Sequence, residues 1–258
     1  MDLGLVGRVV LIAGSSRGIG RATARAFLAE GCRTAITGRD RASLDAARVE
    51  LASDFGPESV MAFQGDHGRP DVITRTLDRM RERWGDLDCL VANIGSGRGK
   101  GGLDAKEADW MGAFDVNLWS GVRVVSAAVG QMLENHHGSI TIVGSIVGVE
   151  GSTAPLAYSS AKAALMNYSK NLSRLVGPYN VRVNCVAPGN IFFPGGSWEK
   201  HLAERTAEVT AYIKAEVPLQ RFGRPEEIAD LIVFLSSDRA SFITGAGIVA
   251  DGGQTRSI

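Results

Sequence analysis

Val9-Val10-Leu11-Ile12-Ala13-Gly14-Ser15-Ser16-Arg17-Gly18-Ile19-Gly20 is an apolar run that ends in a glycine-rich turn and passes directly into a helical segment. The run starts at Arg8, and the helical segment extends from Gly18 to Glu30. Glycines at such a junction let the backbone turn tightly. They also let an anion approach the helix N-terminus, where free N–H groups point outward. The spacing is G-x-x-x-G-x-G, which departs from the commonest dinucleotide fingerprint, G-x-G-x-x-G. A glycine-rich turn alone is a weak signal. Between a first strand and a first helix it reads as a pyrophosphate cradle.

Outward from this turn, apolar runs alternate with amphipathic segments along most of the chain. The strand-like runs are Arg33–Thr37, Ser59–Phe63, Leu87–Ala92, Ser139–Val143, Val181–Val186 and Gly247–Ala250. Helical patterns cover Arg41 to about Asp54, Asp71–Trp84, roughly Ala105–Glu134, and the segment that carries Tyr158. Runs of Val, Ile, Leu and Ala without strict alternation suit strands buried on both faces. The order predicts a parallel sheet covered by helices on both sides. Residues 1–258 read as one α/β domain, with a dinucleotide-binding part over about 5–145 and a catalytic and substrate part over about 145–258. One segment breaks the rhythm. Residues 189–218 carry helical pattern but no strand, and they open with Gly189-Asn-Ile-Phe-Phe-Pro-Gly-Gly-Ser-Trp198, which predicts a mobile cover.

At 258 residues the chain is long enough for a large core, and 45% apolar with 22% charged residues suits a soluble globular protein. Lys plus Arg and Asp plus Glu both number 28, so the balance supplies no reason to expect nucleic acid or an anionic membrane as a partner. Cys32, Cys89 and Cys185 are scattered in or beside apolar runs and read as small buried hydrophobes. The histidines form no ligand set, and His136 and His137 read as the end of a long helix, so no metal is expected. No apolar run approaches the ~20 residues of a membrane span, and the N-terminus enters a strand without a secretory pattern. A cytoplasmic location is expected.

The chemistry is carried by Tyr158-Ser-Ser-Ala-Lys162, downstream of Ser145. Residues four apart share one face of a helix, so a phenol and an ammonium stand together. A neighbouring ammonium favours the phenolate and draws a tyrosine pKa from about 10 toward the working pH. Such a tyrosine gives a proton to a carbonyl oxygen or takes one from an alcohol. The second strand bears on which dinucleotide is bound. It ends Ile36-Thr37-Gly38-Arg39-Asp40, with glycine where an acid holding the ribose 2′-hydroxyl is sought. Arg39, and Arg17 inside the turn, suit a 2′-phosphate through paired hydrogen bonds. NADP(H) is therefore expected over NAD(H). The alternative is a solvated Arg39 with Asp40 on the ribose.

These motifs together resemble the short-chain dehydrogenase/reductase family in its single-domain form. The similarity runs from about Leu5 to Gly253, through Gly14-x-x-x-Gly18-x-Gly20, Asp66, Asn93-Ile94-Gly95, Asn117, Ser145, Tyr158-x-x-x-Lys162 and Pro188-Gly189. The resemblance implies a seven-stranded parallel Rossmann sheet and a homotetramer, or failing that a homodimer. It implies Tyr158 as acid/base and Ser145 as the residue that hydrogen-bonds the substrate oxygen. Lys162 would bind the nicotinamide ribose and lower the tyrosine pKa, and Asn117 would anchor a water linking Lys162 to solvent. The cofactor-binding set carried over is Gly14, Ser16, Arg17, Gly18, Ile19, Gly20, Arg39, Asp66, His67, Asn93, Gly95, Tyr158, Lys162, Pro188, Gly189 and Ile191. Three departures stand out. Ala13 replaces a frequent threonine, Ile94 replaces a small alanine and narrows the floor under the cofactor, and Phe193 falls where many members carry a threonine on the nicotinamide carboxamide.

The function expected is NADP(H)-dependent hydride transfer between nicotinamide and a carbonyl or secondary alcohol. The chain most resembles members acting on 3-oxoacyl carrier-protein thioesters, with a sugar, polyol or other small secondary alcohol as the alternative substrate. Phe192, Phe193 and Trp198 suggest an apolar or ring-shaped pocket wall, whereas Ser96-Gly-Arg98-Gly-Lys100 suggests a loop for an acidic group. A non-catalytic dinucleotide sensor or scaffold is the reading from another class, although such proteins often lose the Ser–Tyr–Lys set that is kept here. A serine hydrolase is excluded, because Val143-Gly-Ser145-Ile-Val147 lacks the G-x-S-x-G elbow and no later histidine is placed as a base.

Overall fold

The computed structural model describes residues 1–257. Seven strands form one parallel sheet in the order β3-β2-β1-β4-β5-β6-β7. They are β1 (Val9–Ala13), β2 (Arg33–Gly38), β3 (Val60–Gln64), β4 (Cys89–Ala92), β5 (Gly138–Val143), β6 (Val181–Pro188) and β7 (Gly247–Ala250). Every pairing is parallel, with Val9 opposite Arg33 and Val10 opposite Cys89 in the centre. The connecting helices are α1 (Gly18–Ala29), α2 (Arg41–Phe55), α3 (Pro70–Trp84), α4 (Glu107–Phe114), α5 (Ser120–Glu134), α6 (Leu156–Val176), α7 (Ser197–Glu216) and α8 (Pro225–Ser236).

The absence of alternation in β1 and β4 has the expected cause, since every residue of both strands is buried. Two apolar clusters cover the two faces. One joins Val10 and Ile12 to Phe27, Leu44 and Ile232, and the other joins Leu11 and Leu90 to Ile73, Val125 and Leu165. The strand order reverses between β1 and β4. Ligands of open α/β sheets bind beyond the strand C-termini at such a point.

Two elements differ from the sequence reading. The long helix expected over Ala105–Glu134 is interrupted, because residues Asp115–Trp119 form a π turn between α4 and α5. A 3.6-residue apolar period does not register a single widened turn, and such turns often mark functional sites. The second difference is α8, which was not anticipated. Its signal was Pro225 in the first turn, with the Glu227 carboxylate accepting the Arg224 N–H at 2.8 Å. Segment 189–218 is mostly α7, kinked at Arg205 (φ −145°, ψ 53°), and Ile191 forms an isolated parallel bridge with Gly223. Helix α5 ends at Glu134, two residues before His136, which takes a left-handed φ of 48°. His137 packs instead between Arg8 (2.9 Å) and Asp88 (3.4 Å).

Candidate active site

The turn after β1 is held by its neighbours rather than by itself. Gly14 takes φ 84° and donates its N–H to Thr37 Oγ1 at 2.8 Å. Ser15 donates Oγ–H to the Ile12 carbonyl (2.7 Å) and accepts from Thr37 N (2.8 Å). Asn93 Nδ2 donates to the Gly14 carbonyl at 2.6 Å and fixes the far side of the turn from the end of β4. No side chain caps the N-terminus of α1, so its first-turn N–H groups stay available to an anion. Thr37 and Ser15 were not picked out in the sequence, because their partnership exists only once β1 and β2 are in register.

The end of β2 shows why glycine stands at 38. A Cβ there would lie 3.0 Å from Ser16 Cβ, so a side chain in that place would be tight against the turn and Ser16 would have to give way. Asp40 is otherwise engaged. Its Oδ1 caps α2 by accepting the Ser43 N–H at 2.8 Å, and these bonds hold its carboxyl below the usual range. Arg39 is exposed beside it. Arg17, expected to reach the same phosphate, donates instead to the Gly195 carbonyl at 2.9 Å. Asp66 is exposed and accepts the Gly68 N–H at 2.9 Å, while His67 is buried on Thr76 Oγ1 at 3.0 Å.

Ser145, Tyr158 and Lys162 converge at the C-terminal ends of β5 and β6. Ser145 follows β5 with an extended φ of −171° and accepts Val147 N–H at 3.4 Å. Helix α6 reaches it because residue 148 is glycine. A Cβ there would stand 2.8 Å from the Lys162 carbonyl carbon and the Ala163 nitrogen. Lys162 is buried at 4% exposure and donates Nζ–H to the Val143 carbonyl at 2.9 Å. Gly95 lies against this ammonium, since a Cβ there would meet Lys162 Nζ at 3.0 Å and Asn117 Oδ1 at 3.1 Å.

Burial pushes the Tyr158 phenol above its ordinary value, and the Ser145 hydroxyl pulls it partly back. Burial also brings Lys162 down to about 8. Asn117, in the π turn, is committed to loop-holding. Its Oδ1 accepts Ser96 N–H (2.8 Å), and its Nδ2 donates to the carbonyls of Ser96 (3.1 Å) and Ala113 (3.0 Å). It thereby fixes the loop whose Gly97 leaves room for the Tyr158 ring, 3.8 Å from where a Cβ would be.

Beyond β6, Pro188 pairs with Ala250, and Gly189 approaches Asp251 so closely that a Cβ would stand 2.6 Å from the Asp251 Cβ. Ile191 is buried. Ile94 packs into the cluster on the α5 side, and Ile19 into the cluster on the other. The expected aromatic wall is partly different. Trp198 packs on Phe222 (centroids 5.3 Å) and stacks on Tyr212 (6.0 Å), and Phe192 adjoins Phe222 (5.9 Å). Phe193 leaves this group and lies on the glycine-rich turn. Lys100 of the basic loop is paired with Asp109 at 3.3 Å. Among the described residues, no group of three or more His, Cys, Asp or Glu is placed to hold a metal ion.

A family model described as Enoyl-(Acyl carrier protein) reductase matches residues 13–255. The chain belongs to the short-chain dehydrogenase/reductase family. It is 34% identical over 250 residues to the 3-oxoacyl-acyl-carrier-protein reductase of Chlamydia muridarum, covering 97% of this chain and 98% of that one. It is also 34% identical over 251 residues to 2-(S)-hydroxypropyl-CoM dehydrogenase 3 of Xanthobacter autotrophicus, covering 97% and 98%. Among solved structures, L-sorbose reductase of Gluconobacter frateurii, complexed with NADPH and L-sorbose, superposes with TM-score 0.93 at 32% identity over the whole of both chains. The protein is an oxidoreductase of this family acting between a ketone and an alcohol.

Proposed function

We propose that the protein reduces a ketone to a secondary alcohol with NADPH in preference to NADH, with Tyr158 as the proton donor. The observation that carries this reading is the convergence of Ser145 and Tyr158 beside the buried Lys162 ammonium, which is held on the Val143 carbonyl at 2.9 Å. When bound, the dinucleotide supplies the hydride. The glycine cradle and the uncapped α1 terminus fit such a group. Asn93, Gly95, Pro188 and Gly189 would flank its nicotinamide end, and Ser16, Asp66 and His67 its adenosine end.

The chain's own residues do the remaining work. Ser145 and Tyr158 bind the carbonyl oxygen, and their bonds strengthen as it becomes an alkoxide, which lowers the barrier. A phenol held neutral by burial is in the right protonation state to give its proton in the reductive direction. Lys162, titrating near 8, is suited to replace that proton. Preference for the 2′-phosphate follows from Gly38, from the engagement of Asp40 with Ser43, and from exposed Arg39.

A 3-oxoacyl thioester is the first substrate class, by similarity to the carrier-protein reductases. A keto-sugar, or a polyol in the oxidative direction, is the second, by similarity to L-sorbose reductase. Met111, Trp119 and Phe242 are exposed apolar side chains, which supports assembly as a homotetramer. No helix of the described residues is long and apolar enough to cross a membrane, and we place the enzyme in the cytoplasm.

The test is NADPH oxidation against acetoacetyl thioesters, diketones, cyclic ketones, aldehydes and keto-sugars. Turnover of one group names the substrate class. Tight NADPH binding with no turnover across the panel supports the sensor reading instead.

A further inference from the structure

The tip of the 189–218 segment is a preformed latch on the phosphate turn. Phe193-Pro194-Gly195-Gly196 is a tight turn closed by the Gly196 N–H on the Phe193 carbonyl at 3.0 Å, with Gly195 at φ 77°. Proline followed by glycine at positive φ is the composition of a type II turn, so the tip is rigid before any ligand arrives. Three contacts anchor it. Arg17 donates to the Gly195 carbonyl at 2.9 Å, and Glu199 Oε2 accepts the Gly195 N–H at 2.8 Å. The Phe193 ring is the third. A Cβ on Gly18 would lie 2.7 to 2.9 Å from its Cζ, Cε2 and Cε1, and one on Gly196 would lie 3.1 Å from Cζ. The ring is therefore gripped between two α-carbons, one in the phosphate turn and one in its own tip.

Gly18 is the residue a pyrophosphate must approach if it is to use the free N–H groups of α1. The Phe193 ring is packed against that residue. An aromatic ring offers an anion no hydrogen bond, so Phe193 and a pyrophosphate cannot both occupy the space over Gly18.

We infer that Phe193 and Arg17 gate exchange of the dinucleotide: the tip must lift from Gly18 before the pyrophosphate can seat. The inference rests on dinucleotide binding at Gly14–Gly20. A site whose competent form is a minor population binds more slowly by that fraction.

Stopped-flow mixing with NADPH, read by tryptophan fluorescence and by nicotinamide emission, tests this after equilibrium titration. For the wild type, the observed rate should reach a plateau as NADPH rises, because opening limits it. For Phe193→Ala the rate should climb linearly and exceed wild type by about tenfold at equal concentration, the fraction withheld by a modestly favoured closed state. Arg17→Met assayed with NADH, which has no 2′-phosphate for Arg17 to meet, should also associate faster. This second arm decides the matter if Phe193→Ala does not fold. Equal rates in wild type and both variants would overturn the gate while leaving the cofactor site intact. Titration that detects no dinucleotide binding would overturn the site and the gate together.

Discussion

Lys162 Nζ donates to the Val143 carbonyl at 2.9 Å, which ties the helix carrying Tyr158 to the strand that delivers Ser145. The bond positions an ammonium at 4% exposure with no carboxylate partner among the described residues, and the burial brings its pKa down from 10.5 to about 8. Burial therefore works against the charged form of this lysine.

Replacing that charge should stabilise the protein and abolish its activity. The unfolded chain keeps the lysine proton up to about pH 10.5, and the native state releases it near 8. Between those values the unfolded state binds more protons, so wild-type stability rises with pH through that window. Lys162→Met should gain about 1–3 kcal/mol at pH 7 by removing the buried charge, less the lost bond to Val143. Chemical denaturation at pH 7 and pH 10 checks this: the gap should narrow at the higher pH. A variant less stable than wild type at pH 7 would show that the Val143 bond outweighs the desolvation.

Cofactor preference should respond to the end of β2. Arg39→Ala should lower kcat/KM for NADPH by about tenfold or more, the size of one charge-assisted hydrogen bond, and leave NADH nearly unchanged. Gly38→Asp alone should impair both cofactors, because its Cβ meets Ser16 at 3.0 Å. Wild-type efficiency with NADH equal to that with NADPH would contradict the preference.

His67 makes stability sensitive to acid. Burial against Thr76 lowers its pKa below 6.5. Below pH 6.5 the unfolded chain takes a proton that the native state refuses, so stability falls as pH drops through that window. Melting temperatures between pH 7 and pH 5 should decline more steeply in wild type than in His67→Gln. Parallel declines would remove His67 from the account.

Much of this was legible because the central strands are buried on both faces and the edge strands keep apolar runs: these runs located all seven strands to within about two residues. Glycines 14, 18 and 20 and the Tyr158–Lys162 spacing located the site, since each demands a particular local geometry. What was not legible depends on contacts between distant segments. The Thr37–Gly14 bond needs the β1–β2 register, and the fate of Arg17 needs the tip at Gly195. The π turn at Asn117 changes no composition, so no pattern reveals it. The Tyr158 pKa is raised by burial of the phenol, which helical spacing alone does not report.

The most direct test of the central claim is Tyr158→Phe, assayed for NADPH oxidation with whichever carbonyl the wild type reduces, alongside an NADPH titration. The account predicts that turnover falls by about a thousandfold or more, as expected when a positioned general acid and an oxyanion donor are lost together, while the dissociation constant for NADPH stays within about twofold. Turnover within tenfold of wild type would show that another group supplies the proton, and would contradict the assignment of Tyr158.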